Sequence, residues 1–100
     1  VRRLQYADEA RRELVALARY SRAEWGEAHA RAFFDELEQM IEHLRDTPEM
    51  GQQVAGVRPG VRRRVHRTLS IYYTIETDAV RILAILHGRR DAASALADRA

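Results

Sequence analysis

The sequence predicts an α+β fold: one N-terminal strand, an antiparallel helical hairpin, a three-stranded antiparallel meander and a short C-terminal helix. Three observations carry that prediction. Apolar residues recur at Ala30, Phe33, Phe34, Leu37, Met40, Ile41 and Leu44, the i, i+3, i+4, i+7 spacing of one helical face. From Val61 the odd positions Val61, Val65, Leu69, Ile71, Tyr73 and Ile75 are mostly apolar and the even ones Arg62, Arg64, His66, Thr68, Ser70 and Glu76 are polar, a strand period of two. The run Ile82 to Leu86 is apolar on both pleat faces, so it reads as a strand covered on both sides.

Each element has its own signals. Val1 to Tyr6 alternates weakly, and its arginines suit an edge strand that must resist further pairing. Asp8 reads as a helix N-cap, followed by Ala10, Leu14, Leu17, Ala18 and Ser21 on one face. That helix ends before Trp25-Gly26, where glycine supplies a backbone geometry that stops it. The second helix resumes at Glu27 and ends at Thr47-Pro48, because the proline ring disfavours helical geometry at the preceding residue. So short a connection makes the two helices an antiparallel pair. Glu49 to Gly60 reads as a crossing loop. Turns are expected near Arg67-Thr68 and at Thr77-Asp78-Ala79, with Val80 to Leu86 as the last strand and Ala92 to Ala97 as a terminal helix. One layer of two helices cannot cover both faces of a sheet. The other face, or the basic end of the sheet, is expected to await a partner.

A length of 100 residues bounds the chain to a single domain with one modest core. Cysteine is absent, which excludes disulfides and agrees with a reducing compartment. No apolar run approaches the ~20 residues of a membrane span, and the N-terminus lacks the apolar core of a signal peptide. The expectation is a soluble cytoplasmic protein.

All 17 basic residues are arginine, a bias that a GC-rich genome produces without any functional demand. Their placement says more. Residues 1–50 hold 8 Arg against 11 Asp and Glu, net −3, whereas residues 51–100 hold 9 against 4, net +5. The basic half should attract an acidic partner or a polyanion. Arg58, Arg62, Arg63, Arg64 and Arg67 cluster where the meander begins, and His87, Arg89 and Arg90 stand where it ends. These eight are the candidate partner-binding residues. Alternation places Arg62 and Arg64 on the exposed face and Arg63 and Arg67 on the apolar one, where each must find a carboxylate or backbone carbonyls.

The order Ala7-Asp8-Glu9-Ala10 with Leu14, Tyr20 and Trp25-Gly26, then Phe34 to Leu44, Pro48 and Gly51, resembles a known pattern. So do Gly60-Val61-Arg62-Arg63, Ile71-Tyr72-Tyr73 and Ile85-Leu86-His87-Gly88-Arg89-Arg90-Asp91. Together they are similar to the ParE branch of the RelE/ParE toxin superfamily over nearly the whole chain. The resemblance implies the same α+β fold. It also implies a toxin of a type II toxin–antitoxin pair, held in a hetero-oligomer by a ParD-like antitoxin whose C-terminal segment wraps it. DNA gyrase is the target this branch implies, inhibited by protein binding without enzymatic chemistry.

The RelE branch implies a different activity, ribosome-dependent cleavage of messenger RNA, which needs a base, an acid and cations for the phosphorane charge. In this chain those roles would fall to His87, to Tyr72, and to Arg63 or its neighbours Arg62 and Arg64. Lysine is missing, and nothing after Tyr73 is aromatic, whereas RelE-like nucleases often carry both lysines and a late tyrosine or histidine. A third reading is a toxin fold that has lost toxicity and survives as its antitoxin's structural partner.

Other chemistry finds no support in the residues. His29, His43 and His66 fall in different elements without cysteine at ligand spacing, so no metal is expected. Glycines occur singly, which excludes a phosphate-binding loop, and no cofactor is expected. Glu36, Glu38, Glu42 and His43 read as the solvated face of the second helix.

Overall fold

The computed structural model describes residues 2–88 and 92–97. Its elements run β1 (Arg3–Tyr6), α1 (Asp8–Trp25), α2 (Glu27–Asp46), a 3₁₀ turn (Pro48–Met50), β2 (Gln52–Gln53), β3 (Val61–His66), β4 (Leu69–Ile75), β5 (Ala79–His87) and α3 (Ala92–Leu96). The sheet order is β1-β5-β4-β3-β2. β1 pairs parallel with β5, and the other neighbours are antiparallel. The helical pair therefore carries the chain from β1 to the opposite edge of the sheet at β2, and the meander of β3, β4 and β5 then brings it back beside its first strand.

Asp8 lies just inside α1, because Ala7 is the N-cap and makes no side-chain cap bond. Asp8 and Glu9 then act as first-turn acids that favour the positive end of the helix dipole. Gly26 alone joins the helices, at φ 87° and ψ 167°. That region is open essentially to glycine. A Cβ at Gly26 would meet nothing within 4 Å, so the cost of a side chain there lies wholly in the backbone. Gly26→Ala is expected to lower stability by about 1–3 kcal/mol in urea unfolding. An unchanged midpoint would contradict that geometry.

The main core lies between the hairpin and one face of the sheet. Leu17, Leu37, Ile41 and Leu44 from the helices meet Leu69, Ile71, Tyr73, Val80, Ile82 and Ile85 from β4 and β5. On the opposite face Val61, Tyr72, Leu83, Ala84, Leu86 and Leu96 form a second cluster, flanked by Val54, Val57 and Ala95. This corrects the expectation of an open sheet face. α3 and the loop before β3 cover its centre, where Tyr72 is 3% exposed and Leu83 is fully buried. The two-sided apolar character of β5 already demanded such a cover.

A second correction concerns the arginines. The turn at Arg67-Thr68 has two residues, so His66 pairs with Leu69, Arg64 with Ile71 and Arg62 with Tyr73. Paired residues share a face, so the even positions of β3 lie with the odd positions of β4. Arg62, Arg64 and His66 thus stand on the helix side and are half-buried, while Arg63 is exposed on the other face with the half-exposed Val65. Arg67 sits in the turn itself at φ 56°. The stretch read as a loop also holds structure, since the 3₁₀ turn and β2 edge the sheet beside β3.

Candidate partner-binding site

The basic residues are dispersed by the fold. Arg62 donates from Nη1 to the Glu49 carbonyl at 3.2 Å and to the Gly51 carbonyl at 2.7 Å. It thereby anchors the turn that follows α2. Tyr73 holds the same turn from below: its hydroxyl donates to the Pro48 carbonyl and accepts the Gly51 N–H at 2.9 Å. Burial raises the Tyr73 phenol above its ordinary value, against the opposing pull of the Gly51 N–H and the Arg62 and Arg64 charges.

Arg67 grips Glu36 of α2 as a fork, with Nη2 at 2.8 and 2.9 Å from the two carboxylate oxygens. His66 Nε2 lies 4.0 Å from the same carboxylate. The expected partners, a carboxylate and backbone carbonyls, are thus found, but by Arg67 and Arg62. Arg63 pairs across to Tyr72 and Gln52. Arg58 is exposed in the loop beside α3. Arg89 and Arg90 lie outside the described residues.

The residues that hydrolysis would require do not converge. Tyr72 and Arg63 belong to the sheet face under and beside α3, and Tyr72 is buried there. His87 follows the phase of Ile85 and opens on the helix side, against Tyr20 at 6.4 Å between ring centroids. The sheet separates them. Among the described residues no group of three or more His, Asp or Glu could hold a metal ion.

A groove of about 440 Å³ lies between α1 and β5, lined by Glu13, Ala16, Leu17 and Tyr20 on one side and by Leu69, Ile85 and His87 on the other. Its rim carries exposed aromatic surface. Tyr20 is 51% and Trp25 44% exposed, with their rings edge to face at 6.2 Å. Trp25 in turn meets Phe33 at 5.8 Å, so the patch is continuous with the core. Large aromatics held half in water are typical anchors of protein interfaces.

The groove exists because β1 stops early. The last backbone bond between the two strands runs from the Ala7 N–H to the Ile82 carbonyl at 2.9 Å, after which the chain enters α1. A bulge in β5 follows at once, since Tyr73 faces Ile82 but Tyr72 faces Ala84. The inserted residue puts Leu83 and Ala84 on one face and reverses which backbone groups point to β4. Gly88 donates to the Thr68 carbonyl at 2.7 Å, so Leu86 and Ala84 share its phase and Ile85 and His87 turn away from β4. The Ile85 N–H is met by a side chain instead of a strand, Glu13 Oε1 at 2.9 Å.

Only His87 among the groove residues was a site candidate from sequence. Tyr20 lay off the helical stripe, and that offset was the one available signal for an exposed aromatic. The Glu13 contact depends on where β1 ends and on the bulge.

Three comparisons bear on identity. A family model described as the ParE toxin of type II toxin–antitoxin systems, parDE, matches residues 4–92. Among solved structures, the chromosomal ParDE toxin–antitoxin system from P. aeruginosa aligns with a TM-score of 0.74 at 19% identity, over 88% of this chain and 97% of that one. At that identity the likeness speaks for the fold alone. No curated protein sequence matches the chain. With 89 residues inside the family model (4–92), this chain belongs to the ParE toxin family of type II toxin–antitoxin systems.

Proposed function

We propose that this toxin acts by binding proteins, without catalysing a reaction. A ParD-like antitoxin neutralises it by laying its C-terminal segment in the groove between α1 and β5, and DNA gyrase is its target in the cytoplasm. One observation carries the reading: an open apolar groove with Tyr20 and Trp25 half in water on its rim, beside the end of β5 that β1 does not reach. The separation of His87 from Tyr72 and Arg63 by the sheet supports binding over hydrolysis. No described helix is long and apolar enough to cross a membrane.

The exposed arginines have a supporting part. Arg63 and Arg58 on the α3 side and His87 at the end of β5 offer charge to an acidic segment leaving the groove; Arg89 and Arg90, proposed for the same part from their place in the sequence, lie outside the described residues. Arg62, Arg64 and Arg67 contribute to the sheet edge on the helix side. Expression of the chain alone is expected to arrest growth, and co-expression of its cognate ParD-like antitoxin is expected to restore it. Harmless expression without the antitoxin would contradict the reading and favour a toxin fold that has lost its toxicity.

A further inference from the structure

Two buried nitrogens on the edge of the sheet have no hydrogen-bond partner among the described residues: Nε of Arg64 and Nε2 of His66. Both residues are half-buried on the helix side of β3. Alternate residues of a strand share a face at a spacing of about 7 Å, so the guanidinium and the ring can converge on one acceptor. Buried donors left without partners are uncommon in native folds, and each is costly to keep.

The acceptors close by are already engaged. Arg62 takes the carbonyls of Glu49 and Gly51, and the fork of Arg67 holds the Glu36 carboxylate. Glu36 Oε1 lies 4.0 Å from His66 Nε2, too far for a hydrogen bond. The Tyr73 hydroxyl is committed to Pro48 and Gly51. The row is nevertheless within reach of another molecule. β2 pairs only with Arg62 and Arg63, so from Arg64 onward β3 is the rim of the sheet among the described residues, and Val65 between the two is 50% exposed.

An arginine offering its Nε side fits the paired oxygens of a carboxylate or a phosphate. The neighbouring helix decides between them. α2 carries six Asp and Glu against two Arg, a field that repels a polyanion such as duplex DNA far more than a single carboxylate. We infer that Arg64 and His66 form a receptor for one Asp or Glu side chain of the toxin's protein target. The inference rests on the proposed action by binding to gyrase and names residues that make the contact. The row lies on β3 beside α2, whereas the groove lies between α1 and β5, so contacts to target and antitoxin can be tested apart.

The test uses the full toxin carrying Arg64→Met, which keeps the apolar stem and removes the guanidinium. The free variant is expected to unfold at the native urea midpoint or a higher one, because the orphaned Nε is gone. Its binding to DNA-free gyrase, read by biolayer interferometry, is expected to weaken at least about tenfold, while its affinity for the antitoxin stays native. Arg64→Lys, which keeps the charge without the fork, is expected to fall between the two. Arg31→Gln on the exposed surface of α2 removes the same charge elsewhere and is expected to bind gyrase as the native chain does. Native gyrase binding by Arg64→Met would overturn the inference and leave the gyrase reading standing. So would a loss confined to the antitoxin, or one seen only when gyrase holds duplex DNA, which would assign the row to phosphate. A native toxin that fails to bind gyrase would overturn both.

Discussion

A Tyr20→Asp toxin is expected to fold normally and to bind its antitoxin at least about 30-fold more weakly than the native chain, as read by isothermal titration. The two halves of that expectation have different grounds. Tyr20 is half exposed and lies outside the buried core, with its ring edge to face against Trp25 and His87, so its loss removes little from the core. Surface changes of this kind usually shift stability by within about 0.5 kcal/mol. In a complex the same ring would be desolvated against the occupant at the rim of the groove, where truncation of an aromatic anchor costs ~2 kcal/mol or more. A charge adds the cost of burying an unpaired carboxylate beside Leu17 and Ile85. Native affinity in the variant would remove the groove from the account.

Gly51→Ala is expected to destabilise the fold by about 2–4 kcal/mol in urea unfolding, combining overpacking with lost hydrogen bonds. The backbone at Gly51 is extended, so strain is not the cause. The added Cβ would fall 2.2 Å from the Tyr73 hydroxyl and under 3 Å from two ring carbons. Tyr73 cannot yield easily, since it is fully buried and its hydroxyl is held by Pro48 and Gly51. A double variant with Tyr73→Phe gives the sharper result. Removing the hydroxyl makes room for the methyl group, so the two losses should add to less than their sum. Strict additivity would show that the clash is not with that oxygen.

Much of the fold was legible because its signals are local. The stripe from Ala30 to Leu44 and the stop at Thr47-Pro48 set α2, and Gly26 set the hairpin. The parallel partnership of β1 with β5 was not legible, because it depends on a crossover that no local pattern encodes. The face of each arginine is hidden from a local pattern for a related reason. Alternation counted unbroken through Arg67-Thr68 puts the odd positions of β3 and β4 on one face, whereas the two-residue turn pairs even positions with odd ones.

The candidate site was less legible than the fold. The density of arginine drew attention to β3, where the fold disperses the charges and commits Arg62 and Arg67 to internal partners. The groove arises from an early strand end, a bulge at Leu83-Ala84 and an aromatic off the helical stripe. Each is weak in sequence, and only their meeting in space makes a site.

Action by binding to gyrase is tested directly with purified DNA gyrase. Incubated with gyrase, ATP and relaxed plasmid, the toxin is expected to block supercoiling and to trap covalent gyrase–DNA complexes, both reversed by equimolar antitoxin. Unimpaired supercoiling, together with messenger RNA cut on ribosomes by the same preparation, would contradict it.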